Sequence, residues 1–414
     1  MVSFALILNY LAWYVFIFIG VVWILVLLNR DNSFRPEKKT GKHHSVSVLI
    51  PAYNEEKTIT QTLQSVLAID YPKNLLEVIV INDCSADSTP AILRKFEQQG
   101  LIQVLTNKQN KGKAYSLNRA ISIAKGELVA CIDADSGVDK DILKRMMPHF
   151  DNPKIGSVTP ALKIWKTQNF LEKIQAAEYI LNVFLRKALA FLDSIHVTPG
   201  VFSVYRKSVL QKVGGFEEKN LTEDMDIALK IHEAGYKIEN ELGAVSYTMC
   251  PNTWNELFKQ RIRWYRGAIQ NSIKHKHMFF SYRYGNLGIF FLPLNFIAIL
   301  AIFMVFMTVL WNYGGTVTDI VWKFSLVNWD MGVYLAGFNV AAFLAKMIST
   351  PLILGLMGLI MGGYILYTSF LITEEKVKSN KKGYAIYLVI FPFIMMAFWT
   401  LAILHEVLRI ERKW

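Results

Sequence analysis

Two aspartates one residue apart, Asp133 and Asp135, close the apolar run Leu128–Ile132. In an extended segment positions i and i+2 face the same side, so their carboxylates converge. Paired acids just past a strand suit a divalent cation, Mg2+ or Mn2+, that uses one or two carboxylates plus substrate phosphates. Such a cation would neutralise charge growing on a departing diphosphate. The competing reading is a solvated turn. Thr222-Glu223-Asp224 opens a helical stretch running to about Ala234. One of its acids can take a proton from a hydroxyl. Locally, Thr222 as an N-cap with acids in the first turn explains it equally well. In Gln260-Arg261-Ile262-Arg263-Trp264, the arginine and tryptophan at positions 263 and 264 follow Gln260 by three and four residues and share its helix face. A guanidinium fork can grip a diphosphate, and an indole offers a flat face to a sugar ring. The alternative puts the arginine on lipid phosphate and the tryptophan in the interfacial belt. Lys111-Gly112-Lys113, ahead of another helix, can bind a phosphate or a base carbonyl, or be a solvated loop.

These residues need a scaffold. Val46–Ile50, Val78–Ile81, Ile102–Leu105 and Leu128–Ile132 read as buried strands, and 56–69, 87–99, 113–125 and 139–150 as helices. That alternation predicts a parallel sheet with helices on both faces. Ligands of such sheets sit at the carboxyl ends of the strands. Asn54, Glu55, Asp83, Asp133 and Asp135 fall there.

The chain of 414 residues is 53% hydrophobic with 19% charge, and its mean hydropathy is +0.28. The apolar excess lies near the N-terminus and in the last third, which points to membrane spans on a soluble domain. Leu6–Leu28 is long enough to cross a bilayer and lacks signal-peptide features. Arg30, Arg35, Lys38, Lys39 and Lys42 follow it and place the next domain in the cytosol. Further apolar runs are Leu287–Trp311, Val333–Ile372 and Tyr384–Leu408; the middle one contains Lys346 and Pro351 and reads as one or two spans. The expected divisions are 1–29, a transmembrane helix; 45–250, a cytosolic catalytic domain; 251–285, an interfacial helix; and 286–414, a transmembrane region of three or four segments. In the interfacial helix Lys259, Arg261, Arg263, Arg266 and Lys274 are expected to lie near lipid phosphates, so membrane lipid is an expected partner. The net charge of +12 fits membrane surface and phosphate, with no motif for nucleic acid. Cys84, Cys131 and Cys250 are widely spaced and form no metal or disulfide framework, as in a reducing compartment. A transporter is disfavoured because the spans carry few polar groups beyond Lys346, His405 and Glu406.

In order, Pro51-Ala-Tyr-Asn-Glu55, Asn82-Asp-Cys-Ser-Ala-Asp87, Lys111-Gly-Lys113, Asp133-Ala-Asp135, Thr198-Pro-Gly200, Thr222-Glu-Asp224 and Gln260-Arg-Ile-Arg-Trp264 resemble the membrane-bound family 2 glycosyltransferases. The group meant is the cellulose synthase-like, hyaluronan synthase-like and poly-N-acetylglucosamine synthase-like one. The resemblance implies an α/β GT-A (Rossmann-like) catalytic domain plus α-helical transmembrane and interfacial helices. It implies that Tyr53, Glu55 and Asp83 hold base and ribose, with Lys113 nearby. Asp133 would contact the nucleotide and Asp135 would ligate Mg2+ or Mn2+. Asp224 would be the general base, with Glu223 beside it. Gln260 and Arg263 would bind the donor diphosphate. Trp264 would stack the acceptor sugar, with Gly200 near it. The implied reaction is inverting transfer from a nucleotide-diphosphate sugar, with uridine the usual base, by a processive β-polysaccharide synthase. The alternative is transfer of one or a few sugars to a lipid-linked acceptor, with a GDP-sugar as a further option. The usual D-D-G-S stands here as Asn82-Asp83-Cys84-Ser85, one span precedes the domain, and no gating-loop motif follows Trp264.

Overall fold

The computed structural model describes residues 4–29, 42–336, 339, 341, 350–375 and 381–410. The chain opens with helix α1 (Phe4–Asn29) and then builds a mixed sheet. In order come β1 (Val46–Ala52), α2 (Ile59–Leu67), β2 (Leu76–Asn82), α3 (Thr89–Gln98), β3 (Gln103–Thr106), α4 (Lys113–Ile123) and β4 (Leu128–Ile132). Next are β5 (Gly137–Val138), α5 (Ile142–Met146), β6 (Ile155–Ile164), α6 (Phe170–Phe191), β7 (Val201–Arg206), α7 (Lys207–Lys212), α8 (Glu223–Glu233), β8 (Lys237–Thr248) and α9 (Trp254–Lys274). Strand order is β3-β2-β1-β4-β7-β6-β8-β5.

The four expected strands all form and run parallel. In β1, β2 and β4 the apolar residues are buried on both sheet faces, with Val48, Leu49, Ile79, Val80, Leu128 and Val129 at 0% exposure. β3 is corrected: as the edge strand it is half-buried at Val104 and Leu105 and exposed at Gln103 and Thr106. The expectation of a wholly parallel sheet is corrected. β7 joins β4 antiparallel, and three further strands, β6, β8 and β5, complete the sheet. That reversal serves the site: Val201, the first residue of β7, pairs with Ile132, the last of β4. Gly200 is thereby brought to the carboxyl end of the parallel strands.

α6 links this domain to the apolar helices. A capping box starts it: Glu172 N–H donates to Asn169 Oδ1 at 2.9 Å, and Asn169 N–H donates to Glu172 Oε2 at 3.0 Å. Val183 and Phe184 of α6 pack with Leu27 of α1 and with Ile365. α9 lies between α6 and the helix Phe391–Val407. Tyr265 stacks on Trp399 with centroids 4.0 Å apart.

The expectation that five basic residues of α9 face lipid phosphate fails for three of them. Arg261, 1% exposed, donates to Glu178 Oε2 of α6 at 2.7 Å. Arg266 bonds Glu406 and the carbonyl of Ile410. Lys274 bonds Asp226 at 2.7 Å and pairs with Glu217. A guanidinium or ammonium removed from water needs a carboxylate beside it, and the fold supplies one each time. Lys259 and Arg263 remain exposed.

Among the described residues three helical segments are long and apolar enough to cross a membrane: Tyr10–Asn29, Leu287–Met307 and Ile353–Thr373. Lys381–Val389 and Phe391–Val407, bent by 48° at Ile390, add a fourth if the pair is one span. Lys346 and the choice of a second span before Thr350 fall outside the described residues. So do Arg30, Arg35, Lys38 and Lys39.

The Glu178–Arg261 pair yields a test. Replacing Glu178 by Leu strands a buried guanidinium, which costs about 3–5 kcal/mol. The melting temperature of the detergent-solubilised protein falls accordingly, and adding Arg261→Met recovers most of the loss. An unchanged melting temperature in the single variant would mean that this pair does not hold α6 to α9.

Candidate active site

The loops after β1 and β2 form one rim. Asn54 N–H donates to Ser85 Oγ at 3.1 Å, Ala86 N–H to Asn54 Oδ1 at 2.9 Å, and Glu55 N–H to Thr89 Oγ1 at 2.8 Å. Asn54 and Cys84 both adopt left-handed backbone, with φ of 56° and 63°. Tyr53 stands 47% exposed on this rim. Asp83, expected to face a base and ribose, is 3% exposed and its carboxylate is engaged within the protein. Asn107 Nδ2 donates to it at 2.7 Å, Lys111 N–H at 3.1 Å and Gly112 N–H at 2.7 Å. Asp83 therefore shapes the loop that leads into α4, whose first residue is Lys113.

Lys113 is the hub. Its ammonium lies 2.5 Å from Asp133 and 3.3 Å from Glu223. Burial alone would lower its pKa, but Asp133 and Glu223, with Asp224 behind them, hold it well above the usual lysine range. It is ion-paired among carboxylates and is not the free phosphate-binding lysine its loop suggested.

Asp133 to Ser136 form a tight turn, with Ser136 N–H donating to the Asp133 carbonyl at 3.1 Å. The expected extended geometry is corrected, yet the two acids do converge. Thr62 of α2 braces the turn by donating to the Ala134 carbonyl at 2.8 Å. Burial, then Asp133 and Glu55, push the Asp135 carboxyl up to about 6.

Asp224 sits at the start of α8. Thr222 makes no side-chain cap there; its Oγ1 accepts from Asn271 of α9 at 2.9 Å. Thr222 thus occupies the N-cap position with acids in the first turn, as the local explanation has it, but its hydroxyl does not cap the helix. The Thr198 N–H and hydroxyl both donate to the Asp224 carbonyl, at 3.2 and 3.0 Å, which ties Thr198-Pro199-Gly200 to the acids. Burial and Glu223 raise the Asp224 carboxyl to about 6, against the pull of Lys113 and Arg263. At Gly200 a Cβ would lie 2.3 Å from Lys113 Nζ and 3.0 Å from Asp133 Oδ2, so a side chain there would displace the hub.

α9 brings the remaining candidates. Arg263 is exposed toward Asp224. The Gln260 Oε1 atom is buried and lacks a hydrogen-bond partner among the described residues. Trp264 is half-buried, with the Arg261 guanidinium 4.4 Å from its ring centroid. One face of this indole is thus already taken.

Sequence reasoning missed Arg186. It projects from α6 toward Asp224, and its buried Nη1 lacks a partner among the described residues. Burial pushes this guanidinium down to about 10 despite the nearby acid. The available signal was an Arg186-Lys187 pair inside the otherwise uncharged stretch Tyr179–Phe191.

Glu55, Asp133, Asp135, Glu223 and Asp224 face Lys113, Arg186 and Arg263, which leaves two formal negative charges. A divalent cation fits that donor set: hard carboxylates, one of them starved of positive charge. Asp135, with Asp133 alongside, presents carboxylates that could hold such a cation.

Residues 47–214 match the family described as Glycosyl transferase family 2. Over 270 residues the chain is 33% identical to a poly-β-1,6-N-acetyl-D-glucosamine synthase of Staphylococcus epidermidis. It is 32% identical to the enzyme of that name from Staphylococcus aureus. Each match covers 63% of this chain and 65% of the relative, so just under two thirds of the relatives' length is spanned. In structure, a mannosyltransferase from Pyrobaculum calidifontis, in complex with GDP-Man and Mn2+, superposes with a TM-score of 0.64. That likeness covers 98% of this chain and 100% of that one at 18% identity, and it shows the fold, GT-A.

Arg186→Met gives a test of the missed residue. Removing an unpaired buried charge raises the melting temperature, while turnover of a nucleotide-sugar falls at least roughly tenfold, the trade-off of a functional residue. A variant with unchanged turnover would assign Arg186 to packing alone.

Proposed function

Since residues 47–214 form a family 2 glycosyltransferase domain, we propose that this chain transfers sugars from a nucleotide-diphosphate sugar to a growing glycan at a membrane. The carrying observation is the convergence of Asp133, Asp135, Asp224 and Arg263 around the Lys113 hub. The similarity to poly-β-1,6-N-acetyl-D-glucosamine synthases supports a processive β-polysaccharide synthase using a UDP-sugar, with N-acetylglucosamine the first sugar to try. The apolar helices support a multi-pass membrane protein, and the basic residues Arg30, Arg35, Lys38, Lys39 and Lys42 after the first of them support a catalytic domain in the cytosol.

The chemistry follows from the residues. Asp224 takes the proton of the acceptor hydroxyl. The freed oxygen attacks the anomeric carbon opposite the diphosphate, which inverts that centre. Arg263 receives the negative charge left on the diphosphate, and Gln260, whose Oε1 lacks a partner, helps orient the substrates. Lys113 and Glu223 hold Asp133 and Asp224 in register. Asp133 meets the nucleotide, and Tyr53 and Glu55 border the base and ribose. A divalent cation, Mg2+ or Mn2+, held by Asp135 would supply positive charge against the diphosphate. Gly200 keeps the acceptor side open, and the uncovered part of Trp264 carries the acceptor sugar.

A second reading is transfer of one or a few sugars to a lipid-linked acceptor. The three or four apolar helices among the described residues favour it over a larger membrane channel. Membranes containing the chain are incubated with a panel of UDP- and GDP-sugars plus Mg2+ or Mn2+, and the products are sized. A long polymer supports the synthase, and a single shift of a lipid supports the alternative. No transfer from any donor, or unchanged turnover in both Asp135→Asn and Asp224→Asn, overturns the site.

The pH dependence is specific. Asp224 must be ionised to accept a proton, and its carboxyl stands at about 6. Activity therefore rises with pH through an acid limb near 6. Glu223→Gln removes the like charge that helps raise it, so the limb moves to lower pH. A limb that stays put in this variant sinks Asp224 as the base.

A further inference from the structure

Glu233, His275 and His277 converge far from the acid cluster, at the opposite end of α8 from Asp224. Glu233 is the last residue of α8, His275 directly follows α9, and His277 lies in the turn leading to the Leu287–Met307 helix. His275 Nδ1 is 2.7 Å and His277 Nε2 2.8 Å from the same oxygen, Glu233 Oε1. One ligand atom from each residue lies within 4.8 Å of the others.

We propose that Glu233, His275 and His277 form a binding site for a Zn2+-type divalent ion, separate from the hard-cation site at Asp135. Two imidazoles and a carboxylate are a borderline-soft donor set that favours zinc over magnesium. The remaining ring nitrogen of His275 is 2.9 Å from Asp226 Oδ1, and Asp226 is 0% exposed. A carboxylate behind a histidine fixes the ring and directs the other nitrogen outward, the arrangement that supports metal-bound histidines. Asp226 is itself fixed by Lys230 at 2.9 Å and Lys274 at 2.7 Å. Glu233 Oε1 now sits at hydrogen-bond separation from each imidazole nitrogen. Tetrahedral Zn2+ with bonds of about 2.0–2.1 Å needs ligand atoms roughly 3.3 Å apart, so these two separations must open by about half an ångström. On binding, the ring protons shared with Glu233 leave to solvent. His277 is 55% exposed, which leaves a coordination position open to water. The ion would pin the far end of the helix that carries Asp224 to the connector entering the apolar helices.

The test uses the full chain in detergent, without a histidine tag, stripped by chelator and then loaded with Zn2+. Elemental analysis after gel filtration should find about one Zn2+ per chain in the wild type and in Asp135→Asn. His277→Ala, an exposed truncation, and Glu233→Gln should each lose it. Co2+ loaded instead should give the visible absorption of a four-coordinate site in the wild type and not in His277→Ala. Wild-type protein holding no more Zn2+ than His277→Ala overturns the proposal. So does full retention in the Glu233→Gln, His277→Ala double variant.

Discussion

The arrangement depends on one ammonium placed among acids. Carboxylates gathered in a partly dry cleft repel one another and rise in pKa, unless cations share the space. Lys113 supplies that cation at the meeting point of three elements. It begins α4, Asp133 directly follows β4 and Glu223 begins α8. The backbone serves this contact. Asp83 gathers the N–H groups of Lys111 and Gly112, and Gly112 adopts φ of 88° as the chain turns into the helix. Gly200 lacks the Cβ that would otherwise meet the ammonium. Lys113 does not satisfy the whole cluster, since Asp135 and Asp224 still stand at about 6. The cleft therefore keeps uncompensated negative charge and a carboxylate of raised pKa at one place.

The parts that were legible in the sequence are those where one local rule decides. β1, β2 and β4 are short apolar runs buried on both faces, and they form where their apolar residues place them. Asp133, Asp135, Asp224 and Arg263 were marked by type and order, and the fold brings them together. β6 and β8 were not legible for physical reasons. β6 mixes Ser, Thr and Lys into its apolar pattern, and β8 mixes Ser, Thr, Asn and Glu, because several of those side chains find partners inside the fold. Ser157 donates to the Val204 carbonyl, and Asn240 Nδ2 to the Thr159 and Pro160 carbonyls. Arg186 was invisible because its meaning lies in a distant partner, Asp224, and not in its neighbours.

The basic face of α9 teaches the same lesson about charge. Periodicity placed Arg261, Arg266 and Lys274 on an amphipathic helix, and proximity to apolar runs suggested lipid phosphate. The fold answers these charges with Glu178, Glu406 and Asp226. A guanidinium at 1% exposure cannot be paired with a headgroup, so its partner had to come from the protein. The net charge of +12 is therefore a poor guide to where this helix sits; the count says nothing about which charges are already spoken for.

Those internal pairs also decide how α9 reaches the cleft. The Glu178 pair holds α9 against α6, and the Glu406 pair holds it against the last helix. On its remaining side it must touch the start of α8. Gly267 permits this, because a Cβ there would come 2.3 Å from Thr222 Oγ1. Asn271, one turn on, completes the contact by donating to the Thr222 hydroxyl and carbonyl at 2.9 and 3.1 Å. One turn in the other direction, Arg263 is left exposed beside Asp224. The close approach at a glycine thus sets the distance between the guanidinium and the acid. A helix held on three sides has no freedom to withdraw that arginine without breaking a buried ion pair. The same contacts that anchor α9 to the apolar helices therefore fix the electrostatics of the cleft.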